Sequence, residues 1–268
     1  MYPNIIAKGL RILKEEGLSS FLERTTRYIW KKTVLSLWEK TGIRQYFPKT
    51  GAYQTYNRVA VEEKRIGDNI LLNLPDNPSY EKRLVEYIRK YVQQGDTVVV
   101  IGGYYGVSTV AATTQTGDNG SVITFEATPE GADRVRKTTR LNDVQQSVDV
   151  RATSVGPIYN SKGRKVGNKK ITPDELPDCD VLAIDCDGCE LEVLDHIEIR
   201  PRMIIVEHHG QLYGNKSNKD ELDFEYQREV LDNILLSKNY IIIDEFSQSR
   251  TKWGFDDHIG WFVAKRDA

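Results

Sequence analysis

Residues 95–109 read GDTVVVIGGYYGVST, and residues 179–194 read CDVLAIDCDGCELEVL. In each, a short unbroken apolar run, Val98–Ile101 or Val181–Ile184, ends in a turn of small or polar residues, and a helical pattern follows. Such a run is too short for an ordinary helix, and it lacks the alternation of a half-solvated strand. It suits a strand buried on both faces. The rhythm extends outward. Further apolar runs lie at 121–125, 147–151, 202–206, 240–244 and 259–264, with helix-like segments at 107–116, 129–141, 189–197 and 225–237. Buried strands alternating with helices predict an α/β fold: a Rossmann-like, doubly wound, mostly parallel sheet of seven strands. The last two runs have no helix between them and flank the polar stretch SQSRTKWGFDDH (247–258), which predicts a terminal antiparallel hairpin.

Before residue 95, Asn77 and Pro78 suit an N-cap and first helical position. Tyr80, Leu84, Tyr87, Ile88 and Tyr91 then form one stripe, and Gly95 stops it. Residues 53–72 read as short strands with turns at Asn57 and Gly67, and 74–78 as a linker. The expected organisation is a basic helical extension over 1–50, short strands and linker over 51–78, and the main domain over 79–268.

Composition bounds the function. Charged residues are 28% of the chain and hydrophobic ones 39%, an ordinary globular balance. The net charge of −2 argues against a general polyanion binder, but it hides an asymmetry. Residues 1–50 carry ten Lys/Arg against four Glu, net +6, leaving the rest at net −8. No apolar run reaches the roughly 20 residues that span a bilayer. The start, MYPNIIAKGLRILKEEG, is broken by charges and does not read as a secretory signal. Cys179, Cys186 and Cys189 are an odd number of thiols, so reduced cysteines and a cytoplasmic setting are expected.

The residues that carry chemistry stand at the strand ends. Gly102, Gly103 and Gly106 let the backbone turn sharply and approach a ligand, with the N–H groups of the following helix free to meet it. Glu126 follows the next strand about twenty residues on, where a carboxylate can accept both ribose hydroxyls of an adenosyl group. No phosphate-binding lysine accompanies the glycines, and their spacing departs from the dinucleotide fingerprint. Asp185 and Asp187 follow the 180–184 run, and Glu207, His208 and His209 follow the 202–206 run. Ligands in open α/β sheets lie beyond the carboxyl ends of the strands, so these side chains converge on one rim. Adjacent histidines at a strand end project to opposite sides, so one of the two faces the pocket; His208 is taken as that one.

Together GDTVVVIGGYYGVST, ITFEATPEGADRVRKTTRLN (123–142) and CDVLAIDCDGCELEVL resemble the FkbM-type family of class I S-adenosylmethionine-dependent methyltransferases, over residues 79–265. Seven strands with a terminal hairpin is the methyltransferase arrangement rather than the dehydrogenase one. The resemblance implies S-adenosyl-L-methionine as methyl donor and an oxygen acceptor on a sugar, glycan or related hydroxylated small molecule. It assigns the turn Gly102, Gly103, Tyr104, Tyr105 and Gly106 to the cofactor, with Glu126 and Ala127 at the ribose and Asp185 where cofactor and acceptor meet. Tyr80 and Glu81 fall at an aromatic–Glu pair of the family that reaches the methionine end. Two departures stand out: Val100 replaces the family's usual Asp, and Tyr104 a common Asn. Val100 makes a catalytically weakened binding or scaffold protein the alternative function.

Asp185, Asp187 and His208 are the catalytic candidates, with His208 or Asp185 as base. No metal is assigned; a magnesium ion on Asp185, Asp187 and Glu207 is the minority scheme. Cys186 and Cys189 are read as reduced thiols at a strand–helix junction rather than a redox pair or zinc site. The run KGRKVGNKK (162–170) is read as a solvated loop. Nucleic acid is disfavoured as partner, because no Asn/Asp-Pro-Pro-aromatic segment follows the 180–184 run. Trp30 and Trp38 among Lys31, Lys32 and Lys40 leave peripheral membrane contact through residues 1–50 open beside a capping or homodimer role.

Overall fold

The computed structural model describes residues 14, 17–23, 25–26, 43–68, 75–157, 166–209, 224–252 and 255–267. Most of the basic extension, including Trp30 and Trp38, lies outside them, as do residues 162–165 of the basic run. No described helix is long and apolar enough to cross a membrane. The chain falls into two compact units, residues 1–54 with 63–76, and residues 55–62 with 77–268.

In the smaller unit, β1 (Lys49–Tyr56) and β2 (Val59–Arg65) supply the base of a hairpin whose tip, residues 55–62, belongs to the larger unit. Within the smaller unit, Lys49 pairs with Glu63, and Arg65 donates to the carbonyls of Gln45 and Phe47. The hairpin turns through Asn57 (φ 47°) and Arg58 (φ 69°), both left-handed, as a two-residue hairpin turn that follows the strand twist requires.

The larger unit is the predicted layered α/β fold. Its helices are α1 (Lys82–Tyr91), α2 (Val107–Thr116), α3 (Pro129–Leu141), α4 (Glu190–His196) and α5 (Phe224–Ser237). Its main strands are β3 (Thr97–Ile101), β4 (Ser121–Phe125), β5 (Val148–Arg151), β8 (Val181–Ile184), β9 (Met203–His209), β10 (Tyr240–Lys252) and β11 (Phe255–Arg266), with β6 (Ser154–Val155) and β7 (Lys170–Ile171) forming a separate small ladder. The seven-stranded sheet runs β10-β11-β9-β8-β3-β4-β5. β3, β4, β5, β8 and β9 are mutually parallel, while β11 is antiparallel to both neighbours. The terminal hairpin is present, but the polar stretch belongs to it: residues 247–252 and 255–258 are strand. The two strands pair through Lys252 and Phe255 as one long ribbon, because the backbone partners continue in register past the apolar segments.

Strand alternation divides the interior into two cores. Val98, Val100, Val181, Ala183, Met203, Ile205, Trp261 and Val263 pack with α1 and α2 on one face. Val99, Ile101, Leu182, Ile184, Ile204, Val206, Phe262 and Ala264 pack with α4 and α5 on the other. The central strands β3, β8 and β9 are apolar on both sides, which is why their runs show no period of two, whereas the edge strand β5 alternates. Each large side chain so buried contributes roughly 1.5–3 kcal/mol.

One helix starts later than the sequence pattern predicts. Asn77 does not cap it; its backbone bonds Thr55 and Asn57 in the hairpin tip, so residues 78–81 form a turn and α1 begins at Lys82. The tip is held further by Asn142, which accepts from the Ala60 N–H at 3.1 Å and donates to its carbonyl at 2.8 Å. Thr128 caps α3, accepting from the Gly131 N–H, with Pro129 in the first turn.

Candidate active site

A cleft opens at the carboxyl ends of β3, β4 and β8, where an open parallel sheet binds ligands. Of the residues assigned to a cofactor by resemblance, Glu81, Gly102, Tyr104, Glu126, Ala127 and Asp185 line it, joined by Tyr80, Asp187, Cys186 and Cys189. Gly103, Tyr105 and Gly106 do not.

The glycines answer to packing. Gly102 has φ +93°, and a Cβ there would lie 1.7 Å from the Asp185 carbonyl oxygen. Only glycine lets the β3 turn pass beside the β8 turn. A Cβ on Gly103 would meet Thr124 Cγ2 at 2.6 Å and Val135 Cγ2 at 2.8 Å. This turn is therefore shaped by its neighbours before any ligand is considered.

Glu126 is buried and ties the two turns it stands between. Its Oε2 accepts from the Tyr104 N–H at 3.0 Å, and its Oε1 from the Thr128 N–H at 2.9 Å and hydroxyl at 2.6 Å. A carboxylate accepts about four hydrogen bonds, so these three do not exhaust it.

Acidic side chains collect on one side of the rim. Parity along the strands decides which: Asp185 continues the face of Val181 and Ala183, and Glu207 and His209 continue that of Met203 and Ile205. His208 continues the opposite face. It is fully buried, burial holds its pKa below the ordinary value, and its side-chain partner is Gln227 of α5. The structure thus brings His209, rather than His208, to the acids. His209 Nε2 lies 3.7 Å from Asp187 Oδ1 and from Glu207 Oε1, and 4.0 Å from Asp185 Oδ1. Its Nδ1 is 3.1 Å from Glu190 Oε1, and Glu190 Oε1 also accepts from the Gly188 N–H. Trp261 Nε1 donates to Glu207 Oε2 at 2.8 Å.

The charges are poorly matched. Burial, then Glu207, pushes the Glu81 carboxyl up to about 8, against hydrogen bonds from Tyr80 and the Ser108 backbone. Burial and Glu207 likewise raise Asp185 well above the ordinary carboxylate range, with Asp187 and Glu81 adding to them and His209 opposing. Burial lowers the His209 pKa, but the Glu190 hydrogen bond and the charges of Asp185 and Glu207 outweigh it and bring the value to about 10. No lysine or arginine is among the principal influences on Glu81 or Asp185.

Three of the cleft residues hold left-handed backbones without being glycine: Glu81 (φ 45°), Tyr104 (φ 31°) and Asp187 (φ 55°). Such conformations cost on the order of 1–3 kcal/mol each and gather at functional sites. Tyr80, Tyr105 and Tyr56 of the hairpin tip form an aromatic box beside them, with centroids 4.9–5.5 Å apart. Tyr56 was not singled out from the sequence; only the packing of residues 55–62 within the larger unit brings it here.

The expected reduced thiols are corrected. Cys186 and Cys189 form a disulfide, their Cα atoms 5.7 Å apart, while Cys179 is free. The left-handed turn at Asp187 and Gly188 folds the two cysteines onto each other at the start of α4.

Comparison with known proteins follows the same lines. Residues 168–242 match the family described as Methyltransferase FkbM domain. This segment carries β8, Asp185, the disulfide loop and β9, so the FkbM resemblance holds there. No curated protein matches the chain in sequence. Among solved structures, a Pyrococcus horikoshii protein classed as a candidate transferase aligns at TM-score 0.53 and 11% identity, covering 91% of this chain and 86% of that one. That likeness shows the Rossmann-like fold. The O-methyltransferase from Bacillus cereus in complex with SAH aligns at TM-score 0.44 and 19% identity over 75% and 88% of the chains. The Bacillus subtilis M1A22 tRNA methyltransferase aligns at TM-score 0.44 and 13% identity over 69% of this chain and 66% of that one.

Proposed function

We propose that this chain is an S-adenosylmethionine-dependent O-methyltransferase acting on a saccharide or related hydroxylated small molecule. The observation that carries the reading is the set of carboxylates gathered with His209 at the strand ends, where Glu81, Asp185 and Asp187 line a cleft framed by the Gly102 turn and Glu126. S-Adenosylmethionine supplies a methyl group on a cationic sulfonium, and its methionine end carries an ammonium. Glu81 and Asp185 offer the negative charge those cations need, and Glu126 has the position left for a ribose hydroxyl. Val100, where the family has Asp, is 1% exposed and part of the core. In this reading Glu81 takes over that charge.

The protein's own contribution is positioning and proton removal. The acceptor oxygen displaces the sulfur in line, and its proton passes to a base on the rim. Asp185 fits the base role better than His208, because it lines the cleft, whereas His208 is buried on the opposite face of β9. The alternative, a binding protein that kept the fold, is favoured only by Val100.

Calorimetric titration with S-adenosylmethionine and its demethylated product tests the donor, and transfer of labelled methyl to saccharide or RNA fractions tests the acceptor. Tight binding with label in saccharide is the expected result. Absence of binding overturns the reading, and label in RNA overturns the acceptor class alone. Binding without any transfer selects the scaffold alternative.

A further inference from the structure

The rim sets Asp185 beside two groups, Glu207 and His209, to which the methyl-donor reading gives no role. One oxygen each of Asp185 and Glu207 and one ring nitrogen of His209 lie within 4.8 Å of one another. His209 Nε2 stands 3.7 Å from Glu207 Oε1 and 4.0 Å from Asp185 Oδ1. These separations are too wide for hydrogen bonds. They are close to what a shared ion requires, since ligand atoms roughly 2.0–2.2 Å from a metal stand about 3–3.5 Å from each other.

The surroundings orient the same atoms. The Nδ1 of His209 is turned to Glu190 Oε1, the carboxylate–histidine pairing that aims the other ring nitrogen at a metal. Trp261 donates to Glu207 Oε2, and Glu207 Oε1 is the oxygen nearer His209. A separate observation comes from α1. Glu81 Oε2 is buried and accepts no hydrogen bond, and Glu81 lines the same cleft as Asp185. A buried carboxyl oxygen without a donor is costly, and a cation in front of it would offset that cost.

We propose that Asp185, Glu207 and His209 bind a divalent transition-metal ion, with the Glu81 carboxylate facing it from the cleft side. Two carboxylate oxygens with one imidazole favour a first-row ion such as Mn2+ over the all-oxygen sets of Ca2+ and Mg2+. The site itself does not depend on the methyl-transfer reading, but the role assigned to the ion does: it polarises the acceptor hydroxyl beside Asp185 and eases loss of its proton.

Mn2+ alone is the probe, titrated into the full chain and followed by the loss of the free-ion resonance signal. One saturable site is expected. His209→Ala and Glu207→Gln, the latter retaining a partner for Trp261, should each weaken it at least tenfold. No saturable binding by the unaltered chain overturns the proposal, whatever the variants do, and so does binding that both folded variants leave unchanged. A parallel S-adenosylmethionine titration separates the two claims. Mn2+ binding without the methyl donor leaves the metal site standing and removes the methyltransferase reading; donor binding without Mn2+ does the reverse.

Discussion

The molecule makes the same turn twice, and for different reasons. β3 and β8 are paired, parallel and buried, and each ends in a short turn that opens a helix. After β3, residues 102–106 are governed by space: a Cβ on Gly102 or Gly103 would overlap the Asp185 carbonyl or the side chains of Thr124 and Val135. After β8, residues 185–189 are governed by charge and a covalent bond. Asp185 and Asp187 face His209, and Cys186 is joined to Cys189. A turn shaped by packing resists substitution because the fold needs it, whereas a turn crowded with like charges lowers stability in exchange for a binding surface.

The largest effect should come from the first turn. Gly102→Ala is expected to cost more than about 3 kcal/mol, combining backbone strain with a main-chain clash, and to unfold much of the protein in a urea titration. A small loss there would mean the β3 and β8 turns are not locked together. The second turn should behave in the opposite way. Asp185→Asn should lower turnover on an identified acceptor at least about 100-fold, as loss of a base does. Its melting temperature should hold or rise, because one buried like charge is removed; a collapse in stability would erase the contrast.

Glu126 joins the two kinds of constraint. Glu126→Gln replaces one acceptor oxygen by a donor, against either the Tyr104 N–H or the Thr128 groups, and should cost about 1–3 kcal/mol in stability. Affinity for S-adenosylmethionine should fall with it; if stability falls and affinity does not, Glu126 is a strut alone. Opening the Cys186–Cys189 bond should matter least. The ring is short, so reduction should lower stability by about 1–2 kcal/mol. Intact mass before and after a reductant, paired with a thermal melt, checks both the bond and its contribution.

Much of the fold was legible because buried parallel strands are short apolar runs, and their order with helices dictates layers. The helix at 107–116 begins and ends at Gly106 and Gly117, and that at 129–141 begins at Thr128 and Pro129. The start of α1 was misplaced because Asn77 is claimed by a backbone pairing with Thr55 and Asn57, which local pattern does not show. Within the site, Glu126 and Asp185 were legible from their distance beyond a strand. The choice between His208 and His209 was not. Alternation says that they face opposite sides, but both faces of β9 are apolar, so nothing local marks the side of the cleft.

The sequence by itself determined that a parallel sheet would form, which turns would end its strands, and that acids would gather at their carboxyl ends. Those features follow from apolar runs, glycines and chain order, all local or nearly so. Tertiary structure alone decided that Glu81 meets Asp185 and Glu207, that His209 is the histidine among them, that Tyr56 completes the aromatic box, and that Cys186 and Cys189 bond. Each depends on which elements lie side by side, and that is set by burial of the two cores on either face of the sheet.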